Sequence, residues 1–183
     1  RLDKFTRNNH QEVVCFISPV HYHSLSQLVP SIFEKGETPL ILILDRITDV
    51  RNFGAIARTA ECAGVHALVI PVKGAAQVSA DAIRTSAGAL SRIPVCRETA
   101  LRNTIKYLQE SGFKVVAATE KGSDYLYKAD MTGPLAIVMG SEEDGVSDDI
   151  IRTCDEILRI PILGSVTSLN VSVASGVMIY EAI

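Results

Sequence analysis

"PLILILDRITDVRNFGAIARTAECAGVHALVIPV" spans Pro39 to Val72, and its reading decides the fold class. It opens on an almost unbroken Leu/Ile run (39–47), turns through polar residues, and continues as a helical stretch (52–63) rich in small side chains. Gly64 is placed to close that helix, and a second apolar run (67–72) follows. Strands that carry hydrocarbon at nearly every position are buried on both faces, as in a parallel sheet.

The same alternation continues outward. "KVVAAT" (114–119), "LAIVMG" (135–140) and "EILRIP" (156–161) read as further strands, with helices at 79–90, 99–111, 146–153 and 171–183. Gly112 is placed to end the helix at 99–111. This order predicts an α/β fold, a mostly parallel sheet with helices on both faces. The first 37 residues differ. "RLDKFTRNNHQ" is polar and reads as a linker, "EVVCFIS" (12–18) as a strand, and "SLSQLVPSIFEKG" (24–36) as a helix interrupted by Pro30. Internal repeats and low-complexity tracts are absent from the sequence.

The chain of 183 residues is 47% hydrophobic and 21% charged, ordinary values for one globular domain with a substantial core. Apolar runs stop short of the roughly 18 residues that a membrane span needs. Cys15, Cys62, Cys96 and Cys154 are far apart, with no C-x-x-C pair and no neighbouring His at ligand spacing. They read as reduced thiols of a cytoplasmic protein, and neither zinc nor a disulfide framework is expected. A net charge of −3 lacks the bulk attraction to phosphate that marks many nucleic-acid binders, so any RNA contact must be local or come from elsewhere. The opening without Met suggests that an upstream part is missing, and "GVMIYEAI" stops in mid-helix.

Ligands of open α/β sheets bind beyond the carboxyl ends of the strands, and three stretches there are chemically odd. In "DRITDVRNFGAIARTAECAG" (45–64), Asp49 or Asn52 is placed to cap the helix, while Arg58 sits in an apolar turn and needs an acceptor or an outward path. Taken alone, Arg58 is most simply a surface residue paired with Glu61. In "GSEEDGVS" (140–147), Gly140 and Gly145 permit tight turning, but three successive acids disfavour a phosphate cradle and no Walker Lys follows. Glu142 is within reach of a cation such as Arg58, whereas Glu143 and Asp144 read as solvated turn residues. In "RIPILGSVTSLNVS" (159–172), Ser168 reads by itself as a helix N-cap and Asn170 as a satisfier of backbone groups. Together, an Arg, a Glu and an Asn at three sheet edges suggest one site. The single Gly of "LDRITDVRNFG" excludes a Rossmann-type G-x-G-x-x-G, and the four His residues show no partner pattern.

In this order and spacing, the three stretches resemble the SpoU/TrmH family of RNA ribose 2′-O-methyltransferases in the SPOUT superfamily. The resemblance runs from Pro39 to Ile183 and rests on Asn52 with "FGAIARTA", on "VMGSEEDGVS" and on "RIPILGSVTSLNVSVASG"; "RTSAGALSRIPV" (84–95) also fits. Leu163 stands where the family commonly has Met, and "GSEEDG" is more acidic than the usual Gly-rich form. The resemblance is nearest to the branch that methylates a guanosine ribose of large-subunit ribosomal RNA.

The resemblance implies a C-terminal trefoil knot, which a bottom-up topology would have excluded. It also implies a homodimer with the last helix at its interface, and an RNA substrate. It divides the chain into a remnant of an interdomain linker (1–15, with "NNHQ") after an absent RNA-binding domain, and a catalytic domain (16–183). S-adenosylmethionine is the implied cofactor, held by Thr119, Gly140, Ile160, Leu169 and Asn170, with no metal. Arg58 is the implied catalytic group, as a base or as a cation stabilising the alkoxide. Glu142 would orient it, Asn52 would help position it or the ribose, and Ser168 and Asn170 would hold the reaction geometry. Three other readings stay open: a transfer-RNA ribose methyltransferase, a non-catalytic RNA-binding or ribosome-assembly module, and an adenine-nucleotide-binding flavodoxin-like protein.

Overall fold

The computed structural model describes residues 20–183, so the expected linker and the strand candidate at 12–18 lie outside the described residues. In chain order the elements are β1 (Tyr22–His23), α1 (Leu25–Glu34), β2 (Leu40–Leu44), α2 (Val50–Cys62), β3 (Ala67–Pro71), α3 (Ala80–Thr85) and β4 (Val95–Glu98). They continue as α4 (Leu101–Glu110), β5 (Lys114–Ala118), β6 (Asp124–Tyr125), β7 (Leu135–Met139), α5 (Asp148–Ile151), β8 (Glu156–Arg159) and α6 (Val171–Glu181).

The described strands form one sheet in the order β1-β4-β3-β2-β7-β5-β8-β6, with every pairing parallel. Side chains alternate across it. Leu40, Leu42 and Leu44 of β2 join a cluster with α2, α3 and α6, while Ile41 and Ile43 join a second cluster with α1, α4 and α5. The five β2 residues are all buried, which is why their run carries hydrocarbon at every position. Each such side chain contributes about 1.5–3 kcal/mol over an exposed one, so the central strands set the core. Beyond β5 the order interleaves: β7 returns between β2 and β5, and β8 then passes to the far side of β5 beside β6.

Capping chemistry sets the helix ends. Asp49 Oδ1 accepts from the backbone N–H of Arg51 and of Asn52, each at 2.8 Å, so α2 begins at Val50 and Asn52 keeps its side chain for other uses. Gly64 and Gly112 take φ of +76° and +88°, and Val65 and Phe113 bond back to Ala60 and Leu108 at 2.9 and 3.0 Å. Both are Schellman closures, which the two glycines predict.

Several expectations are corrected. Pro30 does not interrupt α1, which runs on through it from Leu25 to Glu34 with its apolar face held in the core by Leu25, Val29 and Ile32, burial that outweighs the penalty of an internal proline. The helix expected at 79–90 breaks after Thr85, where Ala87 and Gly88 turn left-handed (φ 51° and 85°) before a 3₁₀ turn at Ala89–Ser91. The helix expected at 146–153 keeps only Asp148–Ile151. Strands β1, β4 and β6, which span two to four residues, give no usable period.

The thiols differ in setting. Burial, reinforced by Glu98, pushes the Cys96 thiol up to about 12. Burial, reinforced by Asp155, pushes Cys154 to about 12 as well. Cys62 is exposed on α2. A raised thiol pKa lowers the reactive thiolate fraction at neutral pH. Iodoacetamide near pH 7 should therefore modify Cys62 in the native protein and spare Cys96 and Cys154 until denaturant is added. Peptide mass spectrometry checks this, and native labelling of Cys96 at the Cys62 rate would contradict the packing.

Candidate functional site

β2, β7 and β5 end side by side, with Leu44 in register with Met139 and Met139 with Ala118. The Asp45 N–H donates to the Met139 carbonyl at 2.8 Å, carrying the pairing one residue past the strands. The loops that follow are thereby forced together.

The loop after β7 is closed on itself. Ser141 and Gly145 exchange backbone hydrogen bonds at 3.1 and 3.0 Å, and Gly145 has φ +68°. A Cβ at Gly140 would lie 2.0 Å from the Gly145 carbonyl carbon and from the Val146 nitrogen, so no side chain fits there. The loop after β2 clasps it from outside. Asp45 is buried and accepts from the Ser147 N–H at 2.8 Å. Arg46, with φ 60°, donates to Asp144 Oδ2 at 3.0 Å and to the Gly145 carbonyl at 3.2 Å. Neither Asp45 nor Arg46 was expected from the sequence to act here. The only signal was that both directly follow a fully apolar strand.

Asn52, Glu142 and Asn170 meet. Glu142 Oε1 accepts from Asn52 Nδ2 and from Asn170 Nδ2, the latter at 3.4 Å, and Asn170 Nδ2 also reaches Asn52 Oδ1 at 3.2 Å. Asn170, not Ser168, is the N-cap of α6, its Oδ1 accepting from the Ser172 N–H at 2.9 Å. One side chain thus starts a helix and joins the cluster.

Arg58 lies elsewhere. It stands on the exposed face of α2 and makes no hydrogen bond or ion pair among the described residues. The expected contact with Glu142 is not formed within the chain, and neither is the simpler pairing with Glu61, which faces Arg92 at 3.7 Å. The cause is helical geometry. Six residues separate Asn52 from Arg58, about 240° around the axis, so the two point to different sides. Packed beside α2 is α6, where Gly176 faces Thr59: a Cβ would stand 3.6 Å from its methyl.

Beside the cluster is a cavity of about 330 Å³ whose lining includes Thr119, Gly140, Ile160, Ser168 and Leu169. Asn170 does not line it directly; its neighbours Leu169 and Val171 do. Apolar walls from Met139, Ile160 and Leu169 with hydroxyls from Thr119 and Ser168 suit a nucleoside-sized ligand. Glu120, Glu142, Glu143 and Asp144 contribute to the lining and no Lys or Arg does, so the field favours a cationic ligand. The sulfonium and ammonium groups of S-adenosylmethionine fit that chemistry, and a phosphate-bearing cofactor does not. A second cavity, bounded by Arg46, Thr48, Asp49 and Gly74, shares the Ser141–Asp144 wall. Among the described residues, no group of three or more His, Cys, Asp or Glu is arranged to hold a metal ion, and no helix is long and apolar enough to cross a membrane.

Known proteins share this architecture. The model of the SpoU rRNA Methylase family matches residues 39–180. A 23S rRNA (guanosine-2′-O-)-methyltransferase RlmB of Photorhabdus laumondii is 41% identical over 174 residues, covering 95% of this chain and 71% of that protein. RlmB of Escherichia coli K12 is 39% identical, with the same coverage of 95% and 71%. The SpoU methyltransferase AviRb of Streptomyces viridochromogenes, solved with the cofactor AdoMet, superposes with a TM-score of 0.78 at 27% identity, over 88% of this chain and 64% of that one. An AdoMet-bound rRNA methyltransferase of Sinorhizobium meliloti gives a TM-score of 0.79 at 29% identity, over 88% and 60%. The chain thus spans under three quarters of the curated relatives and under two thirds of these solved chains. With one family matched across most of its length and its three motifs meeting at the carboxyl edge of a parallel sheet, the chain belongs to the SpoU rRNA methylase family.

Proposed function

We propose that this chain transfers a methyl group from S-adenosylmethionine to a ribose 2′-hydroxyl of RNA, at a guanosine of large-subunit ribosomal RNA. The observation that carries this reading is the Glu142 carboxylate held between the amides of Asn52 and Asn170 at the rim of an acid-lined, cation-free cavity. Relatives near 40% identity named as 23S rRNA guanosine-2′-O-methyltransferases support the ribosomal substrate over transfer RNA. A non-catalytic RNA-binding module would have no need of this cluster beside a donor-sized cavity. Bacterial ribosomal RNA is cytoplasmic, and the protein works there.

When bound, S-adenosylmethionine supplies a methyl carbon already activated by its sulfonium. The residues do the rest. Thr119, Gly140, Ile160 and Leu169 hold the donor, largely through close backbone approach, and Ser168 orients it. Asn170 acts from behind Leu169 by fixing the start of α6. Asn52 and Asn170, braced on Glu142, present amides to the incoming ribose. The 2′-oxygen would give up its proton to water, gain negative charge as it does so, and spend that charge in bonding the methyl carbon while the carbon–sulfur bond breaks to leave a neutral thioether. Arg58 is the cation for that charge, because a guanidinium holds its proton in proteins.

The exposed position of Arg58 calls for a second copy of the chain. Val173, Val177 and Tyr180 form an exposed apolar stripe on α6 beside Arg58's helix, and every residue from 161 to 170 is exposed. A homodimer through α2 and α6 covers that stripe and delivers Arg58 to the neighbouring cleft. The interleaved strand order is compatible with a C-terminal trefoil knot around 160–170, which we include in the proposal. Residues 1–15 are proposed as a linker from an RNA-binding domain, and 16–183 as the catalytic domain.

Arg58→Ala should lower kcat for ribose methylation about 10²–10³-fold. Calorimetry should find its S-adenosylmethionine affinity within about threefold of the parent. Wild-type turnover in that variant sinks the role given to Arg58. Gly140→Ala should abolish S-adenosylmethionine binding, because its Cβ displaces the loop backbone. Retained affinity would place the cofactor elsewhere. Asn170→Ala should both slow turnover and destabilise the fold by about 1 kcal/mol through the lost cap, read as a lower denaturant midpoint.

A further inference from the structure

An aromatic ladder stands at the edge of the sheet formed by β6, unused by the chemistry above. β6 is an edge strand of two residues, and the 3₁₀ turn Leu126–Lys128 follows it directly. Leu126 is buried in the core and anchors the turn. Gly122 lies flush on β8, where a Cβ would come within 2.8 Å of the Ile157 carbonyl oxygen, so the segment is held from both ends. On this support the rings of Tyr125 and Tyr127 stack, with centroids 5.4 Å apart and planes 11° from parallel. The Arg159 guanidinium sits over Tyr125, 4.2 Å from its centroid. Its Nε is enclosed and lacks a hydrogen-bond partner, and no carboxylate pairs with the group among the described residues, so the ring holds it.

The ladder ends in solvent. Tyr127 is 58% exposed, and Lys128 beside it makes no ion pair among the described residues. Arg159 immediately precedes Ile160, which lines the donor cavity, so the backbone of β8 links the ladder to that wall. A rigid aromatic face with adjacent cations is the arrangement on which proteins stack unpaired bases. Stacking also needs no net positive charge, which matters for a chain of net charge −3.

We propose that the free face of Tyr127 stacks an unpaired base of the RNA, flanking the nucleotide to be methylated. The idea rests on the RNA methyltransferase reading given above. A contact with a second copy of the chain would use this surface differently: it would change the mass of the particle, not its grip on RNA alone.

The test uses the full chain and a fluorescently labelled single-stranded oligoribonucleotide carrying the methylated sequence. Tyr127→Ala should weaken binding about tenfold or more by anisotropy and raise KM for RNA. Its kcat, its S-adenosylmethionine affinity and its mass by light scattering should stay unchanged, and Tyr127→Phe should restore binding by keeping the ring. Equal RNA affinity in wild type and Tyr127→Ala overturns the platform, and so does a loss of affinity accompanied by a change in mass. A wild-type chain that neither binds nor methylates RNA overturns the underlying reading as well, whereas an active wild type with an unaffected Tyr127→Ala overturns the platform only.

Discussion

The Glu142 carboxylate, accepting from two asparagine amides, is the contact on which the rest of the site depends. A bond to a charged group contributes about 1.5–3 kcal/mol where it is shielded, but this cluster is solvent-exposed, so its value is chiefly geometric. The two amides belong to positions 52 and 170, which stand 118 residues apart in the chain. They meet because α2 packs beside α6 and each amide sits at the first turn of its helix, while the pairing of β2 with β7 brings Glu142 to them. Two separate caps divide the labour. Asp49 satisfies the start of α2 and leaves Asn52 free, while Asn170 serves both the start of α6 and the cluster.

Charge runs opposite to the basic surface usual in RNA-binding proteins. The loop after β7 is acidic and would repel phosphate, yet a cavity for a sulfonium donor benefits from that sign. Arg46 offsets part of it by pairing with Asp144, and in doing so ties the loop after β2 to the loop after β7. Its left-handed backbone is a strain for a non-glycine residue, sustained by its two hydrogen bonds and the buried Asp45 beside it. The acidic cleft and the exposed Arg58 are therefore separate charges, and in the proposed mechanism they take separate tasks, the one for the donor and the other for the developing alkoxide.

The sheet was legible wherever strands were long and wholly apolar, and both Schellman glycines marked true helix ends. Two-residue strands were invisible because they have no period, and the break at Ala87–Gly88 was hidden by good helix formers on either side. At the site, residue identity was legible but partnership was not. Opposite charge suggested Glu142 with Arg58, whereas helix rotation turned Arg58 away and presented Asn52. Arg46 and Asp45 escaped because nothing about a charged pair after a strand signals a clasp until the neighbouring loop is known. The strand order beyond β5 was likewise beyond periodicity, since short connections between neighbouring elements are the usual expectation.

The surface of the single chain supports the proposed homodimer, in which assembly and catalysis are one requirement. Leu163 is 99% exposed and Val166 is 72% exposed, in the very loop that lines the proposed donor cavity. A loop so bare has little to hold its backbone against water, and a cavity it borders would be poorly defined. Val173 and Val177 extend the apolar surface along α6, next to the helix that carries Arg58, which has no partner among the described residues. In the proposed homodimer one event, the docking of a second copy, would bury the stripe and stiffen the loop. It would also bring a guanidinium to a cleft whose lining holds no Lys or Arg. On that proposal a monomer would bind the donor weakly and lack the charge that the 2′-oxygen needs, so any condition that separates the subunits should remove both properties together.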